Sequence, residues 1–297
     1  MYSTCLQGSE PNEGDGLKLL KWQGGKDRLW KHIEPLLQLD RVTGRYIEPF
    51  LGSGAVLFRV VCARPKMRIW GSDVNPALIN LFQAVQIDAA GVYSKLQELP
   101  WGPAWAEDYY DIRDAFNVIK TQNLSKHALY AALLIWLNRH GFNGLYRESK
   151  QGMYTVPVGA FPKPPTMPTM ASLQEFQALL QNVEALGTAD FSYLLNYAQA
   201  GDVIYADPPY CPEQPDKAMF TNYSSEEFGL GAHLRLLASL QAAHSRGARV
   251  VLSNSSGEIT ESVYVDHGGM RVATRVQVPR TGGRGERRPT EEWLLTF

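Results

Sequence analysis

Cysteine is scarce in this sequence, and a long apolar run is missing altogether. The three cysteines, Cys5, Cys62 and Cys211, form neither an even disulfide framework nor a metal-binding spacing within the 297 residues. We therefore expect a reducing, cytoplasmic environment and no metal site. No stretch approaches the ~18–20 apolar residues of a membrane-spanning helix, and the N-terminus lacks a basic-then-apolar signal pattern. Neither membrane insertion nor secretion is expected.

An excess of basic residues is also lacking, since the net charge is −1. Strong binders of nucleic acid often carry a basic domain, so here such binding would depend on local positive charge. Residues 139–163 contain one acid, Glu148, and four basic residues, which are Arg139, Arg147, Lys150 and Lys163. Residues 280–288 contain four arginines interleaved with glycine and one glutamate. This second stretch fits a phosphate-binding loop, and it also fits a solvated surface loop.

The most informative segment is Ile204-Tyr205-Ala206-Asp207-Pro208-Pro209-Tyr210. It is typical of a buried strand that ends in a rigid loop, because two prolines remove backbone N–H donors and fix φ. Asp207 precedes a proline and is therefore held in extended geometry. A carboxylate and a proline carbonyl at such a strand end suit the hydrogens of an exocyclic amine on a nucleobase, with the Tyr210 ring stacked on the base. An ordinary strand end with a Pro-Pro turn fits the same residues.

A glycine-containing turn lies far upstream, after a short apolar strand at residues 46–48. It contains Gly52 and Gly54, and a helical run follows at residues 55–62. Glycines in such a turn let the backbone approach a ligand and let the next helix aim its N-terminus at it. The dinucleotide fingerprint is incomplete because Leu57 stands at the position of its third glycine. An uncharged adenosine moiety is therefore favoured over a pyrophosphate.

Asp73 follows the second predicted strand, at residues 67–71. An acid at the end of the second strand of such a unit can accept hydrogen bonds from both ribose hydroxyls. Asn75 and Pro76 look like a helix cap and a first helical residue, so helix-start chemistry is the alternative role for Asp73. Its spacing from the glycine turn favours ligand binding.

The pattern of helices and strands divides the chain into a polar leader and two predicted domains. We expect residues 1–16 to be a flexible leader. Strand and helix signals alternate in residues 17–76 and again in 168–297, which predicts an α/β domain with a mostly parallel sheet. Strand signals vanish between residues 77 and 167, so a helical domain is inserted there. After residue 168 the pattern predicts helices at 172–185, 194–200 and 225–246, and strands at 190–192, 203–206, 249–254, 271–278 and 292–297.

Five blocks of sequence, in this order, resemble the Dam-type (D12 class) DNA adenine-N6 methyltransferases. The blocks are residues 21–26, 48–54, 73–75, 137–147 and 207–210. Each block alone is unspecific, whereas their combination and order are highly specific, and the resemblance runs from about Leu17 to the C-terminus. It implies an α/β, Rossmann-like S-adenosylmethionine-dependent methyltransferase sheet with an inserted helical target-recognition domain. The implied reaction transfers a methyl group from S-adenosylmethionine to a flipped adenine in double-stranded DNA, usually within GATC.

The resemblance also implies roles for individual residues around the cofactor. Trp22 and Lys26 match positions around the adenosine and methionine portions of S-adenosylmethionine. Phe50, Gly52 and Gly54 belong to the loop beside it, and Asp73 would hold the ribose. The catalytic residues would be Asp207, Pro208, Pro209 and Tyr210, with Asp207 also touching the cofactor.

The implied DNA-binding residues cluster after the helical run at residues 125–139. Phe142 and Asn143 match positions that fill the gap left by the extruded base, and Lys21 matches a lysine that contacts the outer base pair. Arg147 could grip guanine bidentately, while Leu145 and Pro157 could pack against a thymine methyl. The alternatives are core packing for Phe142 and a phosphate contact or surface ion pair for Arg147.

The sequence departs from the family pattern at Ala160, where a basic residue is expected, and at residues 148–150. These departures concern recognition of the second base pair and leave the methyl-transfer chemistry untouched. Two other functions fit the motifs: a methyltransferase for another amine, such as RNA adenine or cytosine N4, and a catalytically decayed DNA-binding protein. Our expectation is a monomeric enzyme near the nucleoid of a bacterial or phage-infected cell.

Overall fold

A seven-stranded sheet forms the centre of the molecule. The computed structural model describes residues 19–22, 26–102, 104–121, 128–211, 228–278 and 290–297. The strands in chain order are β1 Arg45–Glu48, β2 Arg68–Asp73, β3 Ala185–Thr188, β4 Val203–Ala206, β5 Arg249–Ser255, β6 Arg271–Val278 and β7 Thr290–Thr296. The main helices are α1 Trp30–Leu37, α2 Ala55–Ala63, α3 Pro76–Gln97, α4 Trp105–Thr121, α5 Ala128–His140, α6 Met170–Leu180, α7 Phe191–Asn196 and α8 Leu230–Ser245.

The strand order is β3-β2-β1-β4-β5-β7-β6. The first five strands in this order run parallel, and β7 is antiparallel to both β5 and β6. The connections reverse direction between β1 and β4, and in an open α/β sheet ligands bind outside the carboxyl ends of the strands at such a switch point. The predicted Rossmann-like α/β fold is confirmed.

A buried ion pair fastens β1 to β4 at the end of the sheet opposite the switch-point crevice. Arg45 Nη2 donates to Asp202 Oδ2 at 2.6 Å, and Arg45 Nε donates to Oδ1 at 3.2 Å. The backbone N–H of Arg45 also donates to Oδ1, at 2.7 Å. The Asp202 side chain is fully buried and that of Arg45 is 7% exposed. Gly44 leaves room for this pair, because a Cβ there would collide with the Asp202 carboxylate.

The helices of residues 77–167 share their core with one face of the sheet. Apolar side chains of α2, α3, α5 and α6 form one continuous cluster with β1 and β2. Helix α3 bends at Asp88, whose φ is −149°, and the Asp88 carboxylate accepts the Gly91 N–H at 2.8 Å beyond the bend. Helix α5 is buried on almost every side because α3 and α4 both pack on it. The division of the chain at residues 76 and 167 stays a prediction.

A hairpin at residues 141–159 follows α5 and is held by side chains of α4. Its two arms are joined by antiparallel bridges between Gly141 and Val158 and between Glu148 and Tyr154. Asn117 binds both backbone groups of Tyr154, accepting its N–H at 2.7 Å and donating to its carbonyl at 3.1 Å. These contacts make the hairpin a fixed feature of the helical region.

Three of the predicted elements are wrong, one of them because the helix expected at residues 194–200 spans Phe191–Asn196 instead. The strand expected at residues 190–192 is absent, because the Asp190 carboxylate accepts the Ser192 N–H at 3.0 Å and starts helix α7. The helix expected at residues 172–185 ends at Leu180, and Ala185 begins β3 instead. The other predicted strands after residue 168 are confirmed within two residues at each end. The predicted leader and the arginine-glycine stretch at residues 280–288 lie outside the described residues.

Among the described residues, no helix is both long enough and apolar enough to span a bilayer. The same residues hold no group of three or more His, Cys, Asp or Glu side chains placed to bind a metal ion.

The Arg45–Asp202 pair gives a direct test of what holds β1 beside β4. We expect Asp202→Ala to lower the free energy of unfolding by about 3–5 kcal/mol, because it leaves a buried guanidinium unpaired. Urea denaturation followed by circular dichroism measures this loss. Glu184→Gln is the matched control, because it breaks the exposed Arg68–Glu184 pair, whose side chains are 60% and 41% exposed. A loss no larger than in that control would show that the β1–β4 junction does not depend on the ion pair.

Candidate active site

The carboxyl ends of β1, β2 and β4 bring three acidic side chains to one edge of the sheet. Glu48 ends β1, Asp73 ends β2, and Asp207 follows β4 directly. Strand β1 lies between β2 and β4, with Ile47 opposite both Trp70 and Ile204. Parallel strands in this register place the loops that follow them side by side. The separate sequence blocks at residues 48–54, 73–75 and 207–210 therefore meet in one crevice.

The turn after β1 is built from glycines in the left-handed region. The φ angles are 49° at Gly52 and 73° at Gly54, which other residues adopt only with strain. A Cβ on Gly52 would lie 3.0 Å from the indole nitrogen of Trp22. The Leu51 N–H donates to the Ser72 carbonyl at 2.9 Å, which ties the turn to β2. The glycines thus allow Trp22 and β2 to pack closely against the turn.

Asp73 connects this turn to the start of helix α3. Its Oδ2 accepts the Gly52 N–H at 2.8 Å, and its Oδ1 accepts the Asn75 N–H at 2.9 Å. Burial raises the pKa of Asp73, and these two backbone donors oppose that rise. Each carboxylate oxygen can accept a second hydrogen bond. The helix-start role and a ribose-binding role are therefore compatible, and the latter stays a prediction.

Asp207 has one oxygen paired and one open. Its Oδ2 lies 3.1 Å from Lys26 Nζ, whereas Oδ1 is buried and has no hydrogen-bond partner among the described residues. Burial raises the pKa of Asp207 to about 6, with the Lys26 ammonium opposing the rise and the Glu292 carboxylate adding to it. The resemblance implied that Lys26 lies beside the cofactor; in the structure its ammonium contacts the Asp207 carboxylate.

The loop after Asp207 is held from both sides. Pro208 is buried and Pro209 half-buried, and the Tyr210 hydroxyl donates to Glu292 Oε2 at 2.8 Å. The Lys26 ammonium lies 4.7 Å from the centroid of the Tyr210 ring. Beyond the loop, the buried Asn254 accepts the Cys211 N–H at 3.0 Å. The Asp-Pro-Pro-Tyr segment is therefore rigid at both of its ends.

Glu48 is a buried acidic residue at the end of β1, beneath the crevice. Its carboxyl group accepts the Tyr46 hydroxyl at 2.5 Å, and the residue is 2% exposed. Burial raises the pKa of Glu48 well above its usual range, and the nearby Asp207 charge raises it further. Burial therefore disfavours a second negative charge beside Asp207.

Phe50 stands at the rim of the crevice within an aromatic cluster. Its ring stacks on Phe191, with centroids 5.4 Å apart, and meets Phe228 edge-on at 5.7 Å. Phe191 opens helix α7, at a position that the sequence patterns placed in a strand. Phe191 and Glu292 are parts of the site that sequence reasoning missed. Neither residue belongs to a recognisable motif, and only the order of strands brings them to this edge.

Lys21 and Trp22 lie between the crevice and the 141–159 hairpin. The Trp22 ring is 6.1 Å from that of Tyr146. Asn138 fixes the Lys21 backbone by accepting its N–H at 2.7 Å and donating to its carbonyl at 2.8 Å. The Lys21 ammonium lies 5.0 Å from the Phe161 ring, and burial, aided by the Arg139 charge, lowers the pKa of Lys21.

The hairpin presents its predicted DNA-binding residues on the surface. Phe142 is 48% exposed, so it is not a core residue. Asn143 adopts a left-handed conformation with φ 54°, and it is exposed with Arg147 and Pro157 while Leu145 is half-buried. The adjoining Gly144 packs on Lys21, where a Cβ would approach within 2.5 Å of the lysine Cβ. The structure thus brings Lys21 to the hairpin, and the base contacts of these residues stay predictions.

Known proteins match this chain along most of its length. The family described as D12 class N6 adenine-specific DNA methyltransferase matches residues 22–278. The chain is 34% identical over 245 residues to the type II methyltransferase M.MjaIII of Methanocaldococcus jannaschii, covering 80% of this chain and 83% of that protein. It is 33% identical over 253 residues to the DNA adenine methylase of Haemophilus influenzae, covering 82% of each. It is 30% identical over 286 residues to the DNA adenine methylase of Escherichia coli (strain K12), covering 94% of each. On the basis of these matches, the chain belongs to the D12 class of N6 adenine-specific DNA methyltransferases.

Proposed function

We propose that this enzyme methylates the N6 amine of adenine within GATC sites of duplex DNA, using S-adenosylmethionine, after the adenine has been rotated out of the helix. The buried Asp207 Oδ1, which has no partner among the described residues, carries this proposal. A buried carboxylate oxygen without a donor is costly. An amine hydrogen of the target base would satisfy it.

The chemistry at Asp207 follows from the poor nucleophilicity of the target. The lone pair of an exocyclic amine is delocalised into the ring, and two acceptors for its hydrogens favour a pyramidal, more nucleophilic nitrogen. Asp207 Oδ1 and the Pro208 carbonyl are the acceptors at this strand end, and Tyr210 would lie against the base. A carboxyl group whose pKa is about 6 is also a suitable acceptor for the proton that the methylated nitrogen releases.

The residues around the crevice offer hydrogen-bonding groups and aromatic rings that suit S-adenosylmethionine. When bound, the cofactor supplies an electrophilic methyl group. Asp73 has acceptor capacity left for ribose hydroxyls. The glycine turn brings backbone and the Trp22 ring close to the same place, and a tryptophan face attracts a nearby cation. Phe50, backed by Phe191, would close the other side of the adenosine portion.

The 141–159 hairpin supports binding of duplex DNA with base flipping. A stacked adenine hides its N6 nitrogen, so chemistry requires extrusion of the base. The half-exposed Phe142 ring and the exposed Asn143 are suited to fill the gap and to pair with the orphaned base. Arg147 can reach the O6 and N7 atoms of guanine, and Leu145 and Pro157 offer apolar contacts for a thymine methyl.

The whole proposal is tested by methyl transfer from labelled S-adenosylmethionine into unmethylated plasmid DNA. We expect label in adenine, and digestion by enzymes that sense adenine methylation in GATC should change in parallel. Label in adenine without a change in GATC digestion would retain the chemistry and reject the recognition sequence.

We expect Asp207→Asn to lower kcat by at least ~10²-fold, as removal of one transition-state hydrogen-bond partner does. DNA affinity should change little, because the phosphate contacts lie elsewhere. In the wild-type enzyme, kcat should fall as the pH drops through about 6, since protonated Asp207 no longer accepts from the amine. Single-turnover rates of the wild-type enzyme and of the variant, measured across a range of pH, test the loss of activity and its pH dependence. Asp111→Asn, which removes an exposed carboxylate on α4, is the control; an Asp207 variant as active as this control would reject the assignment.

Asp73→Ala should weaken S-adenosylmethionine binding by roughly 1.5–3 kcal/mol, the loss expected for hydrogen bonds to a charged group. The variant also releases the Gly52 N–H, so part of the loss comes from the turn. Asp73→Asn retains one acceptor oxygen and should lose less. Calorimetry on the folded variants gives the affinities, and unchanged affinity would return Asp73 to a helix-start role alone.

Arg147→Ala should lose about 1–3 kcal/mol of discrimination at one base pair and relax the site there. Lys150→Ala is the matched comparison, because an exposed lysine on the same hairpin should weaken binding to all sequences alike. Oligonucleotides with single substitutions in GATC, at one salt concentration, separate the two. Equal losses across all oligonucleotides for Arg147→Ala would mean that the arginine contacts only the backbone.

A further inference from the structure

Glu292 belongs to a set of polar contacts around the Asp-Pro-Pro-Tyr loop. It lies on β7, opposite Ser255 of β5, and its side chain is 14% exposed. Its Oε2 accepts the Tyr210 hydroxyl at 2.8 Å and lies 3.8 Å from Lys26 Nζ. The same ammonium is 3.1 Å from Asp207 Oδ2. One carboxylate on the last strand therefore touches two groups that contact or flank Asp207.

We propose that Glu292 is a positioning residue for methyl transfer, which anchors the Tyr210 ring and shares the Lys26 ammonium with Asp207. This inference rests on the proposed role of Asp207 in the reaction. Glu292 acts through Tyr210 and Lys26 and needs no contact with the substrate.

The anchoring of Tyr210 follows from the state of its hydroxyl. Burial and the neighbouring acids raise the pKa of Tyr210 well above its usual range, so the hydroxyl stays protonated and donates. A hydrogen bond from a buried hydroxyl to a carboxylate is stronger than one between neutral groups. It fixes the ring where the target base is expected to stack.

The β5–β7 edge also fixes the backbone beyond that ring. The Ser255 hydroxyl donates to the Cys211 carbonyl at 2.9 Å, and Ser255 is the residue paired with Glu292 in the sheet. Neighbouring positions on two strands thus hold the Tyr210 hydroxyl and the peptide that follows it. A shift of β7 along β5 would disturb the hydroxyl contact first.

The effect on Lys26 concerns the charge balance at Asp207. Two carboxylates share one ammonium, so neither is fully neutralised. The titratable groups close enough to interact with the Asp207 charge are Lys26, Glu292 on β7, Tyr210 on its own loop, Tyr46 and Glu48 on β1, and Tyr205 on β4. Of these, Glu292 raises the pKa of Asp207, and Lys26 lowers it. Removing the Glu292 charge should therefore lower the pKa of Asp207.

Glu291 provides a matched control on the same strand. Its carboxylate accepts from Gln277 Nε2 at 3.1 Å and from Trp293 Nε1 at 2.5 Å, and neither partner belongs to the Asp-Pro-Pro-Tyr loop. Glu291→Gln removes the same charge from the neighbouring position.

Three variants separate the two parts of the proposal. Glu292→Gln keeps an acceptor for Tyr210 and loses the charge, so the acidic limb of the rate profile should move down by roughly 0.5–1 pH unit. Glu292→Leu also loses the acceptor, and kcat should fall about 10- to 100-fold while KM for DNA and cofactor affinity change little. Tyr210→Phe should lower kcat similarly, and its combination with Glu292→Leu should cost less than the sum of the two single losses.

Pre-steady-state rates, normalised to the burst amplitude, keep these comparisons independent of any unfolded fraction. If both Glu292 variants match Glu291→Gln in pH profile and in kcat while Asp207→Asn is inactive, the positioning role is wrong and the proposed function stands. Losses that appear only as a lower Tm would overturn the positioning role in the same way. A fully active Asp207→Asn enzyme would instead reject the proposed function itself.

Discussion

The pairing of β1 with β4 is the constraint on which the rest of the structure depends. These strands are far apart in the chain, and Arg45 and Asp202 at their starts are separated by 157 positions. Closing so long a loop costs conformational entropy, and a one-residue slip in register would turn every side chain to the other face. The buried Arg45–Asp202 pair fixes that register at one end of the strands. As a consequence, the loops that carry Phe50 and Asp207 follow neighbouring strands at the other end.

The chemistry of the crevice opposes the stability of the fold. Burial raises the pKa values of Glu48, Asp73 and Asp207 above their ordinary range. The folded chain therefore binds protons more tightly at these groups than the unfolded chain does, and their contribution to stability decreases as the pH rises from the unfolded toward the folded pKa values. Backbone donors at Asp73 and the ammonium at Asp207 limit this loss. Local sequence motifs do not explain why these three acidic side chains are buried together. A site that needs an ionised carboxylate with one unsatisfied oxygen does explain it.

The sequence predicts those residues of the candidate site that lie at the ends of strands. Asp207, Asp73 and Gly52 could be predicted because prolines, glycines and an acid after an apolar strand carry local signals. The contacts of Glu292 could not, since they depend on β7 inserting antiparallel between β5 and β6. The strand predicted at residues 190–192 is wrong for a related reason: β3 is short and not fully buried, so its sequence lacks apolar alternation. The Asp190 cap gives helix α7 a stronger local signal in the sequence than β3 has.

A nearly neutral chain can present a positive surface to DNA when its acids are neutralised internally. Glu148 is the single acid among residues 139–163, and it is ion-paired with Lys120 while its own side chain is 8% exposed. Lys120 also donates to the Gly152 carbonyl at 2.7 Å, so the pair holds the hairpin together. Arg147 and Lys150 remain exposed on either side of the buried acid. Glu148 thus braces the hairpin from inside, and the outward charge of the hairpin stays positive.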